Sequence, residues 1–479
     1  MNKTDLILII PQNSKAAKIL SISAGITHPL GVAYIAAYLK QHSYSVKILD
    51  NTIEALSDQE IKKFIKQSSP RYVGLSMLTP AVNQALSIAE TIKEAAPDTK
   101  IFAGGVHASS LPQEILKNDH IDIIVKGEGE ETTLELLQTL DKKENLKNIS
   151  GIIYKEKTEI KENPDRPLIK NLDDLPYPAY ELLSMDKYYL PASRRLTTKK
   201  IASIITGRGC PYKCTFCSHN AIFKAKVRLR TPENVLTEIK HLVKNFGVGE
   251  LIIWDDCFTL DADRAIEIAR FIKAENLNLT FSCSSRVDRA SDKLFSNLYQ
   301  AGCREILFGV ESGSQEILND LKKGTSVPQI EKAIALCKKH QMLAGCSFLF
   351  GTPKETKETI KETFKLLKKI EPDISMFCLL TPLPGSQLFD QVVEKRLLDI
   401  EKTNWDNFVT LLSAYPQPVN LCGLSQKELL STLKKAYRSF YLTPKYILKN
   451  LKKIHSLKHF KELFRGFLAV LKYQLAKIS

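Results

Sequence analysis

TGRGCPYKCTFC, residues 206–217, is the stretch that decides the fold. It follows the apolar run IASII at 201–205, which has the composition of a buried strand. Cys210, Cys214 and Cys217 stand at a C-x3-C-x2-C spacing on one short loop. An iron–sulfur cubane normally takes four cysteines. Three thiolates on one loop can therefore hold three irons and leave the fourth iron free to bind another ligand.

Two simpler interpretations of these cysteines stay open at this point. A structural zinc ion needs a fourth Cys or His ligand, and His219 lies two residues beyond Cys217. Alternatively, the three cysteines are reduced thiols packed in a core. The close spacing favours a cluster over both, and a zinc protein would contain zinc and show no brown chromophore.

The spacing, with Phe216 in the aromatic position, resembles the loop of the radical S-adenosylmethionine (SAM) superfamily. That resemblance implies a [4Fe–4S] cluster on Cys210, Cys214 and Cys217, with SAM chelated by the open iron. It also implies that Phe216 lies near the adenine. In that superfamily, reductive cleavage of SAM gives a 5′-deoxyadenosyl radical that abstracts hydrogen from a substrate.

Alternating strand and helix patterns surround this loop between about residues 196 and 390. Six apolar runs, each ending in polar residues, predict a partial (β/α)6 TIM barrel with its site at the carboxyl ends of the strands. The predicted strands are 201–205, 250–254, 279–284, 305–309, 345–350 and 374–380.

Several strand ends resemble the SAM-binding positions of the superfamily. Glu311 and Ser312 match the motif that contacts the ribose and amino acid portion of SAM, and Ser284 and Arg286 match the position near its carboxylate. An arginine can bind a carboxylate through two parallel hydrogen bonds. The pair Asp255-Asp256 either binds cofactor or substrate or caps a helix.

The region before residue 140 shows five further strand–helix repeats. Continuous apolar strands predict a parallel, doubly wound, Rossmann-like sheet, which binds ligands outside the carboxyl ends of its strands. The loops at those ends are rich in glycine, above all Gly104-Gly105-Val106-His107 and Gly127-Glu128-Gly129-Glu130.

These loops, together with PLGVAY at 29–34, resemble the cobalamin-binding domain of one large branch of the radical SAM superfamily. The chain lacks the Asp-x-His-x-x-Gly motif that supplies a cobalt-ligating histidine elsewhere, as the branch generally does. For His107, capping of a helix is the alternative role. The residues that the resemblance assigns to cobalamin are Gly31, Thr79, Gly104, Gly105, His107, Gly127, Glu128 and Gly129.

We expect a linker over 141–195 and a helical basic region over 391–479. Residues 405–408 and the segment that follows them are expected to cover the open barrel. From Ser425 onward there are thirteen Lys or Arg residues against two Glu residues, with apolar residues at helical spacing. Such helices either pack on their own domain with a solvated basic face or lie on an anionic membrane.

Composition narrows the class of protein. The 479 residues are 44% hydrophobic and 25% charged, as in an ordinary globular protein of about three domains. The ten cysteines form no disulfide framework, since seven are scattered singly and none precedes Cys210. No apolar run reaches the ~18 residues that span a bilayer. We expect a cytoplasmic protein, with peripheral membrane contact through the basic tail and no nucleic acid partner, because much of the +15 charge lies in that tail.

The two resemblances together imply cobalamin-dependent methylation of an unactivated carbon in a small-molecule or lipid-like substrate. They also imply an electron donor such as a flavodoxin or a ferredoxin. One alternative is a ring-forming enzyme that resembles the anaerobic tetrapyrrole cyclase, and another is a sensor without turnover. A methylthiotransferase is disfavoured, because residues 1–209 contain no cysteine for a second cluster.

Overall fold

The computed structural model describes residues 4–12, 25–191, 194–409, 419–451 and 457–475. The strands are β1 Leu6–Ile10, β2 Val46–Asp50, β3 Tyr72–Ser76, β4 Lys100–Gly104, β5 Ile123–Val125, β6 Ile152–Glu156, β7 Glu159–Glu162, β8 Lys200–Ile204, β9 Gly207–Arg208, β10 Arg228–Leu229, β11 Val248–Ile253, β12 Thr280–Ser285, β13 Cys303–Glu311, β14 Leu343–Phe350 and β15 Ile374–Leu379.

The α-helices of the same residues follow in chain order. They are α1 Leu30–Gln41, α2 Asn51–Glu54, α3 Asp58–Ser68, α4 Val82–Ala95, α5 Val106–Ser110, α6 Pro112–Leu116, α7 Glu130–Asp141, α8 Asn220–Phe223, α9 Pro232–Phe246, α10 Ala262–Ala274, α11 Asp292–Gln300, α12 Gln315–Asp320, α13 Val327–Lys339, α14 Lys357–Ile370, α15 Gln387–Glu394, α16 Gln426–Tyr441, α17 Pro444–Leu451 and α18 Leu457–Leu475.

The first sheet has the strand order β2-β1-β3-β4-β5-β6-β7. Strands β1 to β5 are parallel, which confirms the predicted doubly wound sheet. The hairpin β6–β7, from the predicted linker, continues the sheet in antiparallel fashion. The strand order reverses between β1 and β3, and open α/β sheets bind ligands at such a switch point.

Both faces of this sheet are buried, as its continuous apolar strands require. In β1, Ile7 and Ile9 pack with residues of α3 and α4, whereas Leu6 and Leu8 pack with residues of α1 and α7. The alternation follows from the two-residue period of a strand. The free carboxyl edge of the sheet is therefore left to carry a site.

The second sheet has the strand order β15-β14-β13-β12-β11-β8, and every neighbouring pair is parallel. Helices lie between consecutive strands, and α9 begins as predicted, with the Thr231 side chain accepting from the Asn234 N–H (3.3 Å) and Pro232 in its first turn. The six strands confirm the predicted partial barrel.

One edge of this half-barrel is covered by the tail. Tyr437 of α16 donates its hydroxyl to the Phe377 carbonyl of β15 (3.0 Å), and Tyr441 donates to the Ser375 carbonyl (2.7 Å). An exposed strand edge is a template for aggregation. The two tyrosines supply hydrogen-bond donors to two carbonyl groups of the edge strand β15. Helix α16 is therefore an integral part of the barrel.

The prediction that the segment from residue 405 covers the open barrel is wrong for residues 405–408, and residues 410–418 lie outside the described residues. Trp405 and Phe408 belong to the apolar cluster of the first domain, together with Val82 and Ala108. The Trp405 ring lies 4.7 Å from the His107 ring, edge to face. Its indole N–H donates to Glu114 Oε1 (3.0 Å). The first domain offers the indole N–H a hydrogen-bond acceptor and the ring an apolar surface. This explains why Trp405 packs on the first domain and not over the barrel.

Candidate active site

The cysteine loop is closed at its base by a short antiparallel ribbon, β9 with β10. The loop carries Cys210, Cys214 and Cys217, which are free thiols with partial exposure. Gly209 has φ +102°, and a Cβ there would overlap the Lys226 carbonyl oxygen. Only glycine tolerates both that conformation and that close approach. The ribbon therefore fixes where the loop begins.

The three cysteines are compatible with an iron–sulfur cluster. Within the described residues, no three His, Cys, Asp or Glu side chains are placed to hold one metal ion. In a cubane each cysteine binds a different iron, so the thiols need not converge. Burial raises the pKa of the Cys217 thiol to about 11, so a metal that binds there would have to displace a proton.

His219 is committed to the loop backbone. Its Nε2 accepts a hydrogen bond from the Cys210 N–H (2.8 Å), and its Nδ1 lies 3.1 Å from Asp256 Oδ2. Both ring nitrogens are therefore engaged, which disfavours His219 as the fourth ligand of a zinc site. Asp256 orients the histidine, and the histidine positions Cys210.

Asp255 also acts on the loop. Its carboxylate is buried and accepts from the Thr206 N–H (2.6 Å) and the Thr206 hydroxyl (2.5 Å). Arg264 donates to the Thr206 carbonyl from the other side (2.7 Å). Asp255 therefore holds the strand end just ahead of the cysteines, a role outside the two that the sequence suggested.

A buried ion pair lies beside the loop at the end of β13. Lys323 Nζ is 2.8 Å from Glu311 Oε1, and the Ser347 hydroxyl donates to Glu311 Oε2 (3.3 Å). The same ammonium lies 5.8 Å from the centroid of the Phe216 ring. Burial alone lowers the pKa of Lys323, but Glu311 and Cys214 raise it above its ordinary value. Lys323 therefore lies close to both Phe216 and Glu311, two of the residues that the sequence assigned to SAM.

Arg286 joins this group from β12. Its guanidinium lies 3.5 Å from the centroid of the Tyr212 ring and donates to the Lys323 carbonyl (2.7 Å). It also pairs with Asp288 (3.0 Å). Tyr212 is a residue of the cysteine loop, so Arg286 lies directly against that loop. A guanidinium that is already fixed by an aromatic ring and a carbonyl is pre-organised to bind a carboxylate.

The two predicted serines occupy different positions. Ser312 is fully buried, where its hydroxyl lies 3.1 Å from Thr363 Oγ1 and accepts from the Ser314 N–H (3.1 Å). It shapes the turn after β13. Ser284 is half-buried in β12, opposite Leu307 of β13.

The carboxyl edge of the first sheet faces the cysteine loop. A Cβ at Gly385, after β15, would lie 2.6 Å from both the Ser110 hydroxyl of α5 and the Ala221 Cβ of α8. The helix after the Gly-Gly turn, the helix after the cysteine loop and the turn after the last barrel strand therefore meet at one place. A Cβ added at Gly31 or Gly127 would meet no atom within 4 Å apart from those of neighbouring residues in the chain. The backbones of these two glycines are therefore open to a ligand. This open, glycine-lined edge fits a large flat cofactor.

Four more of the residues assigned to cobalamin lie at or beneath this edge. Gly104 and Gly105 are partly exposed at the end of β4. His107 is fully buried, with Nδ1 3.3 Å from Thr79 Oγ1 and Nε2 3.4 Å from Glu114 Oε2. Thr79 is buried as well. Thr79 and His107 support the loops from below, whereas Gly104 and Gly105 reach the surface.

Glu128 and Gly129 are held by neighbouring protein groups. A Cβ at Gly129 would collide with Ile35 of α1, so this glycine permits close helix packing. The Glu128 carboxylate pairs with Arg208 (2.7 Å) and Arg228 (2.6 Å) of the ribbon. Of the predicted turn, only the Gly127 backbone is left open.

Comparison with known families identifies both halves. Residues 18–137 match the B12 binding domain, and residues 204–367 match the radical SAM superfamily. An uncharacterized methyltransferase of Pyrococcus horikoshii is 34% identical over 472 residues, 98% of this chain and 99% of that protein. The chain belongs to the radical SAM enzymes that carry a B12-binding domain. The anaerobic magnesium-protoporphyrin IX monomethyl ester cyclase of Rubrivivax gelatinosus is 30% identical, over 88% of this chain and 75% of that protein.

Solved structures share the fold of this radical SAM enzyme. The cobalamin-dependent SAM radical enzyme OxsB, solved with aqua-cobalamin and SAM, superposes with a TM-score of 0.73 at 18% identity, covering 98% of this chain and 72% of that one. The radical SAM methyltransferase TsrM of Kitasatospora setae, solved with cobalamin and a [4Fe–4S] cluster, superposes with a TM-score of 0.67 at 20% identity, covering 82% of this chain and 75% of that one.

Sequence reasoning missed Lys323, Tyr212 and the two arginines of the ribbon. Lys323 follows α12 in an ordinary polar turn, and no motif marks it. It reaches the site because the Thr215 N–H donates to the Leu321 carbonyl (3.1 Å), which docks that turn on the cysteine loop of the radical SAM domain. Arg208 and Tyr212 both lie inside the stretch 206–217, where a sequence signal could have found them.

Proposed function

We propose that this radical SAM enzyme methylates an unactivated carbon of a small-molecule or lipid-like substrate in a cobalamin-dependent reaction. The observation that carries the proposal is the meeting of the glycine-lined edge with the cysteine loop at Gly385, Ser110 and Ala221. The cluster with SAM supplies the hydrogen-abstracting radical, and cobalamin supplies the methyl group. One inter-domain site then serves both chemistries.

The residues of the chain have separable tasks in this proposal. Cys210, Cys214 and Cys217 bind three irons. Phe216 packs on the adenine, while the charged group Glu311, Lys323 and Arg286 binds the polar parts of SAM. The backbones of Gly31, Gly104, Gly105 and Gly127 receive the corrin, with Thr79 and His107 holding the loops beneath.

We assign residues 1–140 to the cobalamin-binding domain, 141–195 to the linker, 196–390 to the radical SAM barrel and 391–479 to the basic helical region. The hairpin β6–β7 of the linker completes the first sheet. An external one-electron donor, a flavodoxin or a ferredoxin, delivers reducing equivalents to the cluster. Its approach to the loop passes Pro211 and Lys213, which are exposed.

The test is anaerobic purification followed by reconstitution with iron, sulfide and hydroxocobalamin. Iron, cobalt and SAM products are then measured by metal analysis and mass spectrometry. We expect both metals, with 5′-deoxyadenosine and S-adenosylhomocysteine formed, and label from methyl-labelled SAM in a metabolite of the cell extract. Protein that takes up no cobalamin at saturating supply contradicts the proposal.

A ring-forming reaction is the second candidate, because the Rubrivivax gelatinosus cyclase is 30% identical over most of this chain. The two candidates differ in the mass of the product. Methylation adds one CH2 unit, whereas ring formation removes hydrogens or adds oxygen. Products that carry no methyl label but show a hydrogen loss would favour the cyclase.

The basic tail supports a further proposal, peripheral contact with an anionic membrane. Among the described residues, Phe460, Phe464 and Leu468 form a stripe on α18 and Leu448 and Leu451 lie on α17, and each is between 37% and 58% exposed. No helix in the described ranges is long and apolar enough to cross a bilayer. An exposed apolar stripe next to cations is typical of helices that lie on anionic lipid.

Helix α17 lies at the opposite ends of the barrel strands from the reaction site. Lys445 and Lys449 of α17 pair with Glu371 and Asp373, just before the amino end of β15. The SAM-binding groups lie at the carboxyl ends of the strands. In the proposed contact, the site therefore faces away from the lipid.

Replacing both Phe460 and Phe464 by serine is expected to weaken binding to vesicles by about tenfold or more, because two half-exposed rings no longer enter the interface. Co-sedimentation with vesicles of phosphatidylglycerol and phosphatidylcholine measures the change. Leu397→Ser is the matched control, because Leu397 is also an exposed apolar residue but lies just after α15, outside the tail helices. Equal binding of all three proteins, or binding to pure phosphatidylcholine alone, would contradict the membrane contact.

A further inference from the structure

Four buried charges join the first domain to the cysteine loop. Glu128 Oε1 lies 2.7 Å from Arg208 Nη1, Glu128 Oε2 lies 2.6 Å from Arg228 Nη1, and Glu130 Oε1 lies 2.6 Å from Arg208 Nη2. Each of the four side chains is at most 10% exposed. Charges in such surroundings persist only when they are paired. The Gly-Glu-Gly-Glu turn is therefore tied to the radical SAM domain.

The two arginines lie directly opposite each other in the ribbon, as the pair Arg208↔Arg228. Like charges at opposed positions of an antiparallel pair destabilise it. Glu128 resolves this conflict, because one carboxylate oxygen binds each guanidinium. The ribbon encloses residues 209–227, which include all three cysteines.

Both oxygens of the Glu128 carboxylate are engaged by protein groups. Besides the two arginines, Oε2 accepts from the Ile169 N–H (3.0 Å), and Arg228 donates to the Ile169 carbonyl (2.8 Å). The Arg208 guanidinium also lies 5.0 Å from the centroid of the Tyr34 ring of α1. The first domain surrounds the base of the loop with an acid pair and an aromatic ring.

We propose that Glu128 and Glu130 are positioning residues that hold the cluster loop closed at its base by neutralising Arg208 and Arg228. The proposal rests on the proposed function, since it takes the cysteine loop to carry the cluster. The first domain then does more than bind its own cofactor. It completes the loop of the second domain and fixes the loop against the glycine-lined edge.

The test compares Glu128→Gln with the double variant Glu128→Gln/Arg228→Gln. The single variant leaves two facing cations, of which only Arg208 keeps an acidic partner, Glu130. Iron per chain and the electron paramagnetic resonance signal of the reduced cluster should therefore fall, by about tenfold or more. Removing Arg228 as well removes the repulsion, so the double variant should regain most of the signal. If Glu128 contributed only hydrogen bonds, the second substitution would make the loss larger.

Glu135→Gln is the matched control, because Glu135 lies on the same helix, α7, and pairs with Arg166 away from the ribbon. Cobalamin per chain, from the absorption spectrum, reports whether the first domain is intact in every variant. A single variant that fails to fold while the double variant folds with its cluster also supports the proposal.

Three outcomes overturn it: an unchanged cluster in Glu128→Gln, a double variant as poor as the single one, or an equal loss in Glu135→Gln. A wild-type protein without iron would instead contradict the proposed function. The two failures are therefore distinguishable.

Discussion

Replacing Cys214 by alanine is expected to abolish the cleavage of SAM by the reduced protein. In the proposed cluster each cysteine of the loop would hold one iron, so loss of the middle ligand would leave a corner of the cubane without a thiolate. Disturbing a group that merely orients a metal ligand costs 10–100-fold, so loss of a ligand should cost about 1,000-fold or more. Formation of 5′-deoxyadenosine under dithionite, measured by mass spectrometry together with iron per chain, gives the result.

Cys422→Ala is the control for this experiment. Cys422 lies in the tail rather than in the loop, and its thiol is free and partly exposed. Its backbone N–H donates to the Asn420 side chain (3.2 Å). It should keep full iron content and full cleavage. If Cys214→Ala retains the cleavage of SAM, or if the wild-type loop contains zinc, the assignment of the cluster is wrong.

Most of the architecture could be read from the sequence because it depends on local patterns. The apolar runs of both sheets, the Thr231-Pro232 helix start and the three cysteines each lie within a few residues of one another. Parallel strands with helical connections leave few topologies open. The location of the site at the carboxyl ends of the strands follows from that restriction, whereas the order of the strands in the first sheet comes from the structure.

The charged partners of the site could not be read in this way. Glu128 and Arg208 are 80 positions apart, and an acidic glycine-rich turn looks the same whether it binds a cofactor or an arginine. Trp405 and Glu114 are 291 positions apart. These contacts depend on how the domains and the tail pack, which no local pattern encodes.

His107 shows how a sound motif can mislead about a side chain. The Gly-Gly-x-His turn correctly located the edge of the sheet, since Gly105 has φ +100° and directly follows β4. The imidazole, however, points beneath that edge, where Thr79, Glu114 and Trp405 enclose it. Spacing along the chain fixes the backbone turn more firmly than it fixes which side chain meets a ligand.

Replacing Lys323 by methionine is expected to lower both the stability of the protein and the cleavage of SAM. The ammonium is 9% exposed and pairs with Glu311, so the variant leaves a buried carboxylate without its cation. Breaking one partner of such a pair costs about 3–5 kcal/mol. The melting temperature should fall, and the cleavage of SAM should fall with it, because one of the groups that we assign to SAM is gone.

A second substitution separates these two effects. In Lys323→Met/Glu311→Gln no buried charge is left unpaired, so the melting temperature should recover substantially, as expected when both members of a buried pair are replaced. Cleavage of SAM should stay low, since the polar groups that bind it are still missing. Lys322→Met is the matched control, because the neighbouring Lys322 is exposed. Its ammonium donates to the Gln387 side chain (3.1 Å), which carries no charge. If the double variant recovers both stability and cleavage, Lys323 only balances the charge of Glu311 and binds no part of SAM.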